Sequence, residues 1–270
     1  MLGTGESTQN RINVAVLSCG TLGQEVAAAL QHLDMVGRVV LFTTPYRTLK
    51  LGPLKSAQYT VRMEGWAALF RAVRRRILRV KNVGEDERVA LTTDVPVEHY
   101  RFADFHDPDC LEAITAFSPD LGVVAGTYIL REQVFSIPRL GCINLHSGKV
   151  PKYRGSMPAF WELFNGETEV GITIHRVISR LDAGEVLRQE TFPLDPVPPG
   201  DVFKYLDRYQ REVLRPNGVR MLVETVRSIG DGTIMGWQQD DGAARTYRLP
   251  TNREKLELRR RVVARRGGQA

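Results

Sequence analysis

The run Arg11-Ile12-Asn13-Val14-Ala15-Val16-Leu17-Ser18 constrains the fold more than any other stretch of the chain. It is apolar on both alternations, so it has no solvent face and reads as a strand covered on both sides. It stops at Cys19-Gly20-Thr21-Leu22-Gly23, and apolar residues then recur at helical spacing from Gln24 to Leu33. Strand, glycine turn and helix in that order open a doubly wound parallel sheet. Such a turn can offer backbone N–H groups to a phosphate. The three-glycine dinucleotide fingerprint is absent, however, and a tight connection without a ligand is an equal reading.

The following segments fit that architecture. Arg38–Thr43 reads as a second buried strand, Val97–Tyr100 as a short third and Asp120–Gly126 as a core strand. Thr127-Tyr128-Ile129-Leu130 falls at the C-terminal end of that core strand, where open α/β sheets place ligands. Pro108–Phe117 reads as a helix capped by Asp107, with Leu111, Ile114 and Phe117 on one face. A further helix starts at Ser156 or Met157, with Pro158 in its first turn, and stops at Asn165-Gly166; Trp161 belongs to its core face. Val170–Val177 and Glu185–Phe192 are strands joined by a turn. The four prolines between Pro193 and Gly200 mark a boundary. Beyond it the sequence predicts a helix (Asp201–Ile229), a hairpin (Thr233–Leu249, turning at Asp240-Asp241-Gly242) and a basic tail (Arg253–Arg266). The expected organisation is a disordered leader at 1–10, a core at 11–193 and a C-terminal appendage at 194–270.

Trp66, Leu69, Phe70, Val73, Ile77 and Leu78 recur at helical spacing, with Arg71, Arg74, Arg75, Arg76 and Arg79 between them. The expectation is an apolar stripe docked on the sheet with solvated arginines; contact with an anionic membrane or a nucleic acid is the other reading. The net charge of +6 suits any anionic partner and selects none. Three well-separated cysteines, two of them in strand-like surroundings, point to reduced core thiols and a cytoplasmic protein. No run approaches the roughly 20 apolar residues of a membrane span. His99 and His106 have no second ligand at metal spacing and read as surface or loop residues. His175, alternating with Thr173 and Val177, reads as a structural strand histidine.

Chemistry concentrates in Gly141–Gly155, a strand that stops abruptly and opens into a polar loop. Asn144 and His146 are two apart and therefore share a strand face. Asn supplies a neutral donor and His a proton-transfer group near neutrality. Together they suit acyl transfer, in which an oxyanion develops as a nucleophile loses its proton. Asp182, in Ser179–Gly184, is the candidate third partner.

Four blocks stand in order: Asn144-x-His146, Pro151-x-Tyr153-Arg154-Gly155, Gly171-Ile172-Thr173-Ile174-His175 and Asp182-Ala183-Gly184. Over about residues 120 to 190 the chain resembles the folate-dependent formyltransferases, closest in layout to sugar N-formyltransferases and methionyl-tRNA formyltransferase catalytic domains. Where many members carry Ser-Leu-Leu before the loop proline, this chain has Gly148-Lys149-Val150. The resemblance implies an α/β fold: a Rossmann-like formyltransferase core with a central, mostly parallel sheet, plus a short helix–hairpin C-terminal appendage. It implies N10-formyltetrahydrofolate as co-substrate, no metal, and Asn144, His146 and Asp182 as the catalytic groups. Tyr128, Ile129, Leu130 and Leu181 would then border the folate, and Lys149, Tyr153 and Arg154 the acceptor amine. The expected acceptor is the amino group of a nucleotide-linked amino sugar. The short C-terminal third speaks against a tRNA-gripping barrel. Methionyl-tRNA, glycinamide ribonucleotide, an N-hydroxy amino acid and a non-catalytic nucleotide-binding role are the alternatives. Homodimer formation and membrane association stay open.

Overall fold

The computed structural model of the protein describes residues 11–46, 53–70 and 97–267. In chain order its elements are β1 (Ile12–Ser18), α1 (Thr21–Leu30), β2 (Val36–Thr43), α2 (Pro53–Glu64), β3 (Glu98–Arg101), α3 (Pro108–Phe117), β4 (Leu121–Ala125), α4 (Glu132–Phe135), β5 (Cys142–His146), β6 (Arg154–Gly155), α5 (Phe160–Asn165), β7 (Glu169–Arg176), β8 (Val186–Pro193), α6 (Val202–Tyr209), α7 (Arg215–Gly230), β9 (Thr246–Tyr247) and α8 (Asn252–Gly267). Seven strands form one sheet in the order β3-β2-β1-β4-β5-β7-β8. The first five are mutually parallel; β7 runs antiparallel to β5, and β8 antiparallel to β7. This is the α/β, mostly parallel architecture the sequence predicts.

Alternation along the strands divides the core into two layers. Val14, Val16, Leu41, Ile143 and Leu145 share a cluster with Val26 and Leu30 of α1 and Met221, Leu222 and Val226 of α7. Ala15, Leu17, Phe42 and Cys142 share the other with Cys110 and Ile114 of α3. Leu258 and Val262 of α8 join the first layer, so the C-terminal third contributes to the same core as β1. Each such fully buried aliphatic side chain contributes about 1.5–3 kcal/mol of burial free energy. Among the described residues no helix is long and apolar enough to cross a membrane.

Several local expectations change. Asp107 stands at the N-cap of α3, but its side chain makes no capping bond. The helix expected from Ser156 begins only at Phe160, because Met157 and Ala159 adopt left-handed backbone (φ 67° and 64°). The single helix expected over 201–229 contains a π-turn at Gln210–Leu214. Pro216 explains it: without an N–H it cannot continue an α-helical ladder, and a register change absorbs the missing bond. The expected hairpin is absent. Its turn forms at Asp241–Ala243, but its two arms pair elsewhere: Trp237 bridges to Val186, and β9 pairs in parallel with β6. The basic tail is the helix α8, which Arg261, Arg265 and Arg266 fasten to backbone carbonyls of Phe164, Leu163 and Pro198. Of the cysteines only Cys142 is in a strand; Cys110 is in α3 and Cys19 follows β1. Trp66 and Phe70 are 66% and 70% exposed, so this part of the stripe does not dock on the sheet. The leader at 1–10 and the arginines at 71–79 lie outside the described residues.

Candidate active site

β5 ends at the C-terminal edge of the sheet, between β4 and β7. Ile143 and Leu145 point into the core layer under α1 and α7, which sends Asn144 and His146 together to the other face. The register sets Asn144 opposite His175 and His146 opposite Thr173 on the antiparallel neighbour β7. Cross-strand partners share a face. The turn between β7 and β8 brings Asp182 back to this array. Its Oδ2 lies 3.5 Å from His146 Nδ1 and its Oδ1 3.5 Å from His175 Nε2. Asp182 is 9% exposed and His146 8%. The three residues expected to act together do converge, and His175, expected to be merely structural, is a fourth member.

The hydrogen bonds fix which atoms are donors. His146 Nε2 donates to the Tyr153 carbonyl at 2.7 Å, so its Nδ1 lone pair faces Asp182. His175 Nδ1 donates to the Arg176 carbonyl at 2.9 Å, so its Nε2 accepts from Asn144 Nδ2 at 3.2 Å. That bond orients the Asn144 amide and leaves its second N–H available. The Gly155 N–H donates to Asp182 Oδ2 at 2.8 Å. Glycine at 148 is a steric requirement: a Cβ there would lie 2.4 Å from both His146 Nε2 and the Tyr153 carbonyl oxygen. The departure Gly148-Lys149-Val150 therefore makes room for the His146–Tyr153 contact.

Burial lowers the His146 pKa below its ordinary value, against the Asp182 charge and the Tyr153 carbonyl, which raise it. Burial opposes ionisation of Asp182 too, but the charge of His146 and the Gly155 N–H outweigh it and hold the carboxyl at about 2. At neutral pH the pair is an anionic carboxylate beside a neutral imidazole. Two stability limbs follow. Below about pH 6.5 the unfolded chain protonates His146 while the folded chain resists, so stability falls. The Asp182 contribution is complete above about 3.8 and is lost as pH falls towards 2.

Several of the candidate binding residues are engaged within the chain. Lys149 pairs with Glu169 at 2.7 Å, and Tyr153 Oη donates to Glu167 at 2.9 Å. Arg154 is buried, with its guanidinium taken up by Gln239 and Asp241. Tyr128 Oη accepts from Phe105 N–H and donates to Asp104, while Leu130 lies in the core. Ile129 and Leu181 are exposed apolar side chains. Tyr153 and Arg154 nevertheless border the cleft beside His146, together with Ser156, Trp161, Glu162 and Tyr247. Burial pushes Glu162 up to about 7; its carboxylate accepts from the N–H groups of Glu162 and Ala159 at the start of α5. Tyr247 stacks on Tyr153 (5.2 Å) and Trp161 (5.1 Å). Reading the sequence missed Glu162 and Tyr247. A glutamate at the third position of a helix is a cap signal, but here it follows Ala159 rather than Ser or Thr. Nothing local ties Tyr247 to β6.

Comparison with known proteins bears directly on this arrangement. The family model described as "Formyl transferase" matches residues 73–211, slightly more than half of the chain. The chain belongs to the formyl transferase family. All members of the Asn144–His175–His146–Asp182 cluster lie inside the matched stretch. A methionyl-tRNA formyltransferase of Synechococcus sp. (strain JA-3-3Ab) is 35% identical over 153 residues, 56% of this chain and 45% of its own length. The chain thus spans about half the length of the curated relatives it matches. Glycinamide ribonucleotide transformylase 1 from Symbiobacterium toebii superposes with a TM-score of 0.57 at 20% identity, over 88% of this chain and all of that one. WlaRD, a sugar 3N-formyl transferase, superposes with a TM-score of 0.52 at 13% identity, over 88% and 69%. At these identities the two structures attest the formyl transferase fold alone. The relatives matched in sequence are methionyl-tRNA formyltransferases by name, and the expectation that tRNA is an unlikely partner finds no support in them.

Proposed function

We propose that this chain transfers the formyl group of N10-formyltetrahydrofolate to an acceptor amine at the Asn144–His146–Asp182 site. The observation that carries the reading is the convergence of an oriented amide donor, a neutral imidazole and an ionised carboxylate at the end of β5. An amine must be neutral to attack the formyl carbon. As it attacks, the carbonyl oxygen becomes an oxyanion, and the N–H of Asn144 that His175 leaves available is placed to donate to it. The attacking nitrogen must then lose a proton. Protonation of His146 Nδ1 converts a lone pair facing a carboxylate into an ion pair with Asp182, which makes this pair the natural acceptor. That proton then passes to N10, and collapse of the intermediate releases tetrahydrofolate and the formamide. Exposed Ile129 and Leu181 offer apolar surface for the pterin.

For the acceptor we favour the amino group of a nucleotide-linked sugar. Supporting this, WlaRD, a sugar 3N-formyl transferase, shares the fold over most of its length. The second reading is methionyl-tRNA, favoured by the sequence relatives. A thermal-shift screen with 5-formyltetrahydrofolate, alone and with nucleotides, nucleotide-linked amino sugars or tRNA, separates them. The expected result is a raised Tm with the folate and a further rise with one nucleotide family. A further rise with tRNA alone selects the second reading, and no response to saturating folate removes both.

The protonation states add a pH prediction. kcat/KM for formyl transfer should fall on the acid side with an apparent pKa below about 6.5, as the His146 imidazole becomes protonated. Once the acceptor amine's own titration is divided out, an acid limb centred above that value contradicts the assignment of His146.

A further inference from the structure

We infer that Gln239, outside the stretch matched by the family model, is a positioning residue that holds the Asp182 turn in its reactive geometry. The inference rests on the reading of Asp182 and His146 as the reacting pair. Asp182 has left-handed backbone, φ 47°, a conformation that aspartate tolerates better than most residues but whose setting here depends on its surroundings. Gln239 provides that setting. Its Nε2 donates to the carbonyl of Asp182 at 3.0 Å and to that of Gly184 at 2.7 Å. Its Oε1 accepts from Arg154 Nη2 at 2.6 Å and Nε at 3.1 Å.

Both amide hydrogens and both lone pairs are thereby used. The amide can face only one way: flipped, it would turn donors towards a guanidinium and an acceptor towards two carbonyls. Neither glutamate nor a shorter side chain reproduces that pattern. One side chain therefore joins the Asp182 turn to Arg154, whose neighbour Gly155 donates its N–H to the Asp182 carboxylate. Asp241 reinforces the same link by pairing with Arg154 at 3.0 Å and Arg180 at 2.9 Å. The C-terminal segment that was expected to be a hairpin is opened out so that it can make these bonds. It completes the candidate site, although no residue of 237–241 lines the cleft.

The test is the titration of the His146 imidazole by NMR in the full chain, in which His146 is one of five histidines. Gln239→Met and Gln239→Ala are compared with wild type, with Met235→Ala, an exposed neighbour, as the control. Asp182 raises the His146 pKa; loosening its turn should lower the titration midpoint by about 0.5–1 pH unit in both Gln239 variants and leave the control in place. Formyl-transfer kcat should fall about 10–100-fold, with the affinity for 5-formyltetrahydrofolate unchanged. A His146 midpoint unchanged in a folded Gln239→Met protein overturns the inference. The titration requires no acceptor. If wild type transferred no formyl group while the midpoint still moved, the proposed function would fail and the role of Gln239 would stand.

Discussion

Replacing His146 with alanine should lower the formyl-transfer rate by about 10²–10⁴-fold, the range for loss of a positioned proton-transfer group. Asn144→Ala should cost about 10²–10³-fold through loss of one oxyanion donor. The two variants should differ in stability. Asn144 is only partly buried and its amide bonds one imidazole. His146 is buried and provides the donor that satisfies the Tyr153 carbonyl. Leaving that acceptor unsatisfied costs about 1–3 kcal/mol. The His146 variant should therefore unfold at a lower temperature than the Asn144 variant while both remain folded at assay temperature. Steady-state rates together with thermal unfolding check this, and a wild-type rate in folded His146→Ala would exclude the imidazole from the chemistry.

Gly155→Ala should be the most damaging small substitution. The residue has φ 102°, and a Cβ there would lie 2.0 Å from the carbonyl oxygen of Tyr247. The unfavourable backbone alone costs about 1–3 kcal/mol, and the clash must also push β9 away from β6. The Gly155 N–H that bonds the Asp182 carboxylate moves with it, removing a charge-assisted bond of about 1.5–3 kcal/mol. The expected outcome is a Tm lower by several degrees, at about 2–4 °C per kcal/mol, with activity reduced beyond what the lost stability explains. A wild-type Tm would show that β6 and β9 do not need the close approach.

The sheet was legible because its strands advertise themselves locally. β1, β2 and β4 are short apolar runs, and Pro108 with the left-handed turn at Ser118 bounds α3 where the pattern predicts. What could not be read depends on partners distant in the chain. Arg154–Gly155 and Thr246–Tyr247 pair across the whole C-terminal third, and neither dipeptide carries a strand pattern. The contact of His175 with Asn144 could not be read, because it comes from the β5–β7 register. That Gln239 and Asp241 reach Arg154 could not be read either, because nothing local announces it. Asn144, His146 and Asp182 were legible because two share a strand and the third stands in a recognisable turn.

The most direct test of the central claim is the release of tetrahydrofolate from 10-formyltetrahydrofolate by wild type and by His146→Ala, side by side, with nucleotide-linked amino sugars and methionyl-tRNA as acceptors. The account predicts acceptor-dependent release by wild type, accompanied by a formylated amine, and a rate at least about 100-fold lower in the variant. Equal rates in the two proteins, or no acceptor-dependent release by wild type when folate is bound, would contradict it.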